Sequence, residues 1–164
     1  MPASTLQAVI FDLDGTLLDS LADIAEAINL MLDDHHLPRH EASIFTQMVG
    51  DGMEKLVERA LPAPQRNQAT ILACVEEYRA HYARIWKRQT APYTGIPEAL
   101  AALQARGIKL GVISNKAHRF TVEMTEHFFG QGCFQAILGQ RPEVPRKPDA
   151  AGAHEIAAML GLDL

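Results

Sequence analysis

Three short clusters in this chain carry residue types able to do chemistry: Asp12-Leu13-Asp14, Ser114-Asn115-Lys116 and Arg146-Lys147-Pro148-Asp149. Two carboxylates two residues apart can divide labour, one attacking or binding metal while the other moves protons. Each cluster also has an ordinary reading when taken singly. Asp-x-Asp-Gly is common in turns, a serine after a strand is often a helix cap, and a lone lysine in a loop is usually solvated surface.

The elements around these clusters argue that they converge. Ala8-Val9-Ile10-Phe11 is a short apolar run of strand formers that stops at Asp12, the pattern of a buried strand opening into a polar loop. Lys109 to Ile113 repeats that pattern before Ser114, and Gln135 to Leu138 is a third short strand. Helices are predicted between and after these strands, over 99–105 behind Pro97 and before Gly107, over 119–128, and over 150–160 before Gly161. This alternation predicts an α/β fold, a three-layer Rossmann-like parallel sheet covered by helices on both faces. Ligands of such sheets bind beyond the carboxyl ends of the strands, where Asp12, Asp14 and Ser114 would lie.

Residues 20–92 read differently, as helices without a strand. Ser20-Leu21-Ala22-Asp23 has capping-box spacing, and Ile24, Ile28 and Leu32 follow at helical intervals to about Asp34, with Pro38 closing the run. Asp51 with Glu54 reads as a second helix start, and a long amphipathic stretch covers about 69–88. The expected organisation is therefore an α/β core from 1–19 and 93–164, with a helical domain of 20–92 inserted between the first and second strands.

With 164 residues, 48% hydrophobic and 21% charged, the chain can bury a real core. A net charge of -5 argues against a protein that neutralises nucleic acid or anionic lipid, so any phosphate site must be built locally. No apolar run approaches membrane-spanning length and no signal peptide is visible, so neither nucleic acid nor membrane is expected as a partner and a cytoplasmic location is the default. Cys74 and Cys133 lack metal or redox spacing and read as small buried hydrophobes. His35, His36 and His40 read as exposed loop histidines, because Pro38 breaks the spacing that would align them as ligands.

The string Phe11-Asp12-Leu13-Asp14-Gly15-Thr16-Leu17-Leu18-Asp19-Ser20 resembles the first motif of the haloacid dehalogenase superfamily. Val112 to Lys116 resembles the second motif and Arg146-Lys147-Pro148-Asp149 the Lys-Pro motif, in the expected order and across almost the whole chain. Tyr93 to Leu100 with Arg106 to Leu110 further resembles the phosphoglycolate-phosphatase branch, in which the insert is a helical cap. The resemblance implies hydrolysis of a small phosphate monoester, 2-phosphoglycolate or a similar phosphorylated metabolite. Asp12 would be the nucleophile that forms an aspartyl-phosphate, and Asp14 the acid and then the base. Ser114, Asn115 and Lys147 would bind phosphate. Mg2+ would be held by the Asp12 carboxylate and the Asp14 main-chain carbonyl, hard oxygens that suit it. Gly50-Asp51-Gly52 resembles a specificity loop of that branch, although a helix start explains the same residues.

The superfamily has a fourth motif, an acidic pair at the end of a further strand. Here the chain reaches Gly161-Leu162-Asp163-Leu164 where that strand would begin, and Asp163 would sit at its wrong end. The expectation is a core lacking its C-terminal part, with weaker metal binding. The alternatives are a truncated noncatalytic fragment or phosphate-binding module, and a phosphosugar mutase or pyrophosphatase of the same superfamily.

Overall fold

Apolar strand runs need cover on both faces; in the computed structural model, which describes residues 6–162, they form a parallel sheet in which the central strand is the one paired along both edges. Strands β1 (Ala8–Phe11), β4 (Lys109–Ala117) and β5 (Ala136–Gln140) form it in the order β1-β4-β5. Its register runs from Ala8 opposite Lys109 to Phe11 opposite Val112, and from Gly111 opposite Ala136 to Ile113 opposite Leu138. Two strands of two residues, β2 (Leu18–Asp19) and β3 (Ala91–Pro92), form a separate sheet that the sequence did not announce. Asp163 lies outside the described residues.

The chain divides into two units, one comprising residues up to Leu18 and from Pro92 onward, the other Asp19–Ala91. In the first unit, helices α5 (Ile96–Ala105), α6 (His118–Phe129) and α7 (Ala151–Met159) pack on the sheet. Side chains alternate across a strand. Gly111 and Ile113 of β4 face α7, where a Cβ on Gly111 would come within 2.9 Å of Ile156 and one on Gly152 within 2.7 Å of Ile113. Leu110 and Val112 point the other way and are also fully buried, so both faces of β4 are covered. Ala136, Leu138, Ile156 and Leu160 make the cluster that seals α7 to the sheet. Each such aliphatic side chain contributes roughly 1.5–3 kcal/mol when fully buried.

Beyond Ile113 the register of β4 breaks before it resumes at Ala117 opposite Gln140. The irregular stretch is held from below by Gly139, whose N–H donates to His118 Nδ1 at 3.1 Å, and by Thr121, whose hydroxyl lies 3.2 Å from both the Lys116 and Ala117 carbonyl oxygens. A methyl group on Gly139 would sit 2.3 Å from Thr121 Oγ1, 2.5 Å from His118 Cα and 2.6 Å from the Lys116 carbonyl oxygen. Two of those neighbours are backbone and cannot swing aside. Gly139→Ala is therefore expected to destabilise the protein by about 1–3 kcal/mol, the range of overpacked cores, read as a lower urea midpoint at unchanged slope. An unchanged midpoint would mean the turn yields freely.

In the second unit, helix α1 (Leu21–Asp34) packs on α4 (Gln68–Ile85), with the short helices α2 (Phe45–Met48) and α3 (Met53–Ala60) beside them. Ile24, Ile28, Met31 and Leu32 of α1 and Ile71, Val75, Tyr78 and Tyr82 of α4 are buried, as amphipathic periodicity requires. The expected capping box at Ser20 does not form: Ser20 holds the N-cap position without a side-chain cap bond. Asp23 instead turns to the segment after α4 and accepts from Gln89 N, Thr90 N and the Thr90 hydroxyl at 2.8–3.1 Å. Three otherwise orphaned donors reward this buried carboxylate more than one helix cap would.

The α1 helix ends at Asp34, as its pattern predicts, through a Schellman turn in which Leu37 N donates to Leu32 O and His36 N to Asp33 O, both at 2.9 Å, with His36 at φ 55°. One further expectation changes. Gly52, not Asp51, is the N-cap residue of α3, and the Asp51 carboxylate pairs with Arg59.

Candidate active site

The loop after β1 is a tight turn anchored by leucines. Leu17 N and Leu18 N both donate to Leu13 O at 3.0 Å, and Gly15 N donates to Leu18 O at 2.9 Å. Leu13, Leu17 and Leu18 are fully buried. Their burial fixes the backbone that presents Asp12 and Asp14, whose side chains remain 42% and 15% exposed. Because Phe11 lies opposite Val112, the polar residues that follow each strand come to the same edge of the sheet.

There each carboxylate meets a lysine. Lys147 Nζ lies 2.8 Å from Asp12 Oδ1 and donates at 3.1 Å to the carbonyl of Ile113. Asp12 Oδ1 also accepts from Leu13 N at 2.8 Å. Lys116 Nζ reaches both Asp14 oxygens at 3.1 Å, and its side chain is only 7% exposed. Screening by water is weak there, so the pair interacts more strongly than a surface ion pair would. Lys116 had no role in the sequence reading. The available signal was period two: it follows Ser114 by two residues on the same strand, β4.

Ser114 is buried, and its Oγ accepts from Lys116 N at 3.1 Å. It therefore shapes the strand-end turn and does not cap α6. The Asn115 side chain pairs with the main chain of Lys147, Nδ2 donating to its carbonyl at 3.2 Å and Oδ1 accepting from its N–H at 2.9 Å. One hydrogen of that amide and its oxygen are thus engaged in holding the loop that carries Lys147, a positioning task beyond the expected phosphate contact. Asp149 completes the loop by accepting from Ala151 N at 2.8 Å at the start of α7. A small, partly open pocket is lined by Ser114, Asn115, Gly139, Gln140, Lys147 and Asp149. Arg141, also on its wall, pairs with Glu155 at 2.5 Å, which holds the Glu155 carboxyl below its ordinary range.

Asp12, Asp14, Ser114, Asn115 and Lys147 all belong to the first unit. Gly50, Asp51 and Gly52 belong to the second.

A hard divalent cation suits the donors at this edge. The Asp12 carboxylate is partly open to solvent and offers hard oxygen ligands; Mg2+ accepts one or two carboxylates and keeps several waters. Among the described residues no group of three metal-ligating side chains includes Asp12 or Asp14.

A family model described as haloacid dehalogenase-like hydrolase matches residues 9–163. The chain belongs to the haloacid dehalogenase-like hydrolases. Among these hydrolases, it is 31% identical over 147 residues to a phosphoglycolate phosphatase of Thiobacillus denitrificans, covering 88% of this chain and 65% of that protein. It is 32% identical over 156 residues to a phosphoglycolate phosphatase of Aquifex aeolicus, covering 95% and 71%. The solved structure of a Lactobacillus delbrueckii subsp. bulgaricus protein matches with a TM-score of 0.89 at 26% identity, over 96% of this chain and 74% of that one. A haloacid dehalogenase-like family protein of Streptococcus pneumoniae matches with a TM-score of 0.82 at 25% identity, over 96% and 71%. The chain thus spans about two thirds of the length of the curated relatives it matches, 65% of the first and 71% of the second.

Proposed function

We propose that this hydrolase is a phosphatase for small phosphate monoesters, 2-phosphoglycolate or a close analogue, acting through an aspartyl-phosphate on Asp12. The observation that carries the reading is the pairing of each loop carboxylate with its own lysine, Asp12 with Lys147 at 2.8 Å and Asp14 with Lys116 at 3.1 Å. One carboxylate is open to solvent and the other nearly enclosed, a difference suited to a nucleophile and a proton carrier.

Asp12 attacks phosphorus in line, the P–O bond to the leaving alkoxide breaks, and Asp14 passes to that oxygen the proton it took from water in the hydrolysis step of the previous cycle. Asp14 is then a carboxylate stabilised by Lys116, ready to take a proton from the water that hydrolyses the acyl phosphate. Lys147 neutralises Asp12 before attack and the phosphoryl oxygens after it, and Asn115 keeps Lys147 in place through its main chain. The Asp12 carboxylate and the Asp14 carbonyl would hold Mg2+, which supplies charge compensation at the phosphoryl group.

Both cysteines are free, which favours a cytoplasmic setting, and no described helix is long and apolar enough to cross a membrane. The partner is then a small phosphorylated metabolite.

Assaying phosphate release from 2-phosphoglycolate, sugar phosphates and pyrophosphate in Mg2+ tests the reading, which requires the monoesters to be preferred. Preference for pyrophosphate, or isomerisation of a sugar phosphate without release, would transfer the site to another reaction. Lys147→Met is expected to lower kcat by about 10²–10³-fold, the scale of losing one preorganised charge-stabilising donor. A change confined to KM would make Lys147 a simple binding residue.

A further inference from the structure

Among the described residues, one group of metal-ligating side chains lies apart from Asp12 and Asp14: His35, Cys74 and Glu77, whose donor atoms all lie within 4.8 Å of one another. All three belong to the second unit. His35 is the C-cap of α1, set by the Schellman turn at His36 and Leu37. Cys74 and Glu77 lie three residues apart on α4 and so share one face. Nothing in their spacing along the sequence shows this, because 39 residues separate His35 from Cys74.

We infer that His35, Cys74 and Glu77 form a binding site for a borderline-soft divalent cation, zinc above all, that fastens the end of α1 to α4. His35 Nε2 lies 3.6 Å from Cys74 Sγ and 2.5 Å from Glu77 Oε2. Tetrahedral zinc with bonds of ~2.0–2.1 Å to nitrogen and ~2.3 Å to sulfur places those two atoms ~3.6 Å apart, so the His35–Cys74 pair already has the required separation. The same geometry needs ~3.3 Å between nitrogen and carboxylate oxygen. Glu77 must withdraw by under 1 Å, which its 40% exposed side chain allows.

The donor set selects the metal. Thiolate with imidazole suits zinc, whereas magnesium and calcium demand oxygen. Cys74 is fully buried and His35 and Glu77 are open to solvent. Protein therefore encloses the ion on the sulfur side, and a fourth position opens outward for water.

The test is titration of the chelator-stripped full chain with Co2+ as a spectroscopic stand-in for zinc, in excess Mg2+ so that oxygen sites are filled. One equivalent of cobalt should produce a thiolate-to-cobalt charge-transfer absorption that zinc then erases. That absorption should vanish in Cys74→Ser and persist in Cys133→Ser. His35→Gln and Glu77→Gln should weaken zinc at least ~10-fold, since even loss of an outer-shell partner has that effect. These two surface substitutions decide the matter if Cys74→Ser does not fold. Absence of the absorption, its survival in Cys74→Ser, or unchanged zinc affinity in both surface variants overturns the site. None of these outcomes depends on phosphatase activity, so failure here leaves the reading of Asp12 untouched.

Discussion

Asp12→Asn is expected to cut phosphate release by about 10⁴-fold or more, the scale seen when the nucleophile of a covalent mechanism is removed, and to leave folding nearly unchanged. Asparagine has the shape of aspartate, so Oδ1 can still accept from Leu13 N. What disappears is the negative charge that attacks phosphorus and that Lys147 faces. Because the Asp12 side chain is 42% exposed, losing its half of the ion pair should change stability by less than about 1 kcal/mol. Steady-state kinetics and urea unfolding of the same preparation check both halves. Turnover near that of the parent protein would remove Asp12 from the chemistry, and a collapse in stability would make its role structural.

Asp14→Asn should behave differently, because its environment differs. Both oxygens of this carboxylate face Lys116 at 3.1 Å, with the two side chains 15% and 7% exposed. The substitution leaves an enclosed ammonium facing a neutral amide, which should cost about 1–3 kcal/mol of stability. Turnover should fall by about 10³–10⁴-fold, the upper range for general acid–base catalysis. The loss should be smaller for an aryl phosphate, whose leaving group needs no proton. With such a substrate, labelled phosphate should accumulate on Asp12, since the water step still lacks its base. Unchanged kinetics, or equal losses for alkyl and aryl substrates, would deny Asp14 the proton transfers.

How far these roles were legible in the sequence differs from residue to residue. Ala8 to Phe11 and Lys109 to Ile113 are apolar runs too short for helices, so strand pairing follows from composition and length; burial does not, since β4 is covered on both faces while Ile10 of β1 is exposed. Once those strands are parallel, Asp12 and Ser114 must share an edge, which is why the nucleophile candidate was visible. Lys116 was not assigned, because its task depends on the broken register after Ile113 and on the packing of Gly139 beneath it. Asn115 was read as a phosphate ligand. Its amide is engaged by the main chain of Lys147, 32 residues away, and no local pattern encodes such a pairing.

The capping signals show the same limit. Ser20 with Asp23 and Asp51 with Glu54 have correct local spacing, yet Asp23 serves donors at Gln89 and Thr90 and Asp51 pairs with Arg59. For Asp23, a cap offers one hydrogen bond at a solvated helix end, while the donors at Gln89 and Thr90 offer several in a buried, poorly screened setting. Asp51 stays exposed, and Gly52 takes the cap position.

The sequence by itself determined the α/β sheet, the predominantly helical character of 20–92 and the clusters containing Asp12, Asp14 and Ser114, since these depend on periodicity and strand ends; Lys147 was legible only through its resemblance to the Lys-Pro motif. Tertiary structure alone decided which lysine serves which carboxylate, what Asn115 holds and that His35 meets Cys74 and Glu77. Those contacts join residues 32 to 135 positions apart, and only the packing of α1 on α4 and of β1 on β4 brings them within bonding distance.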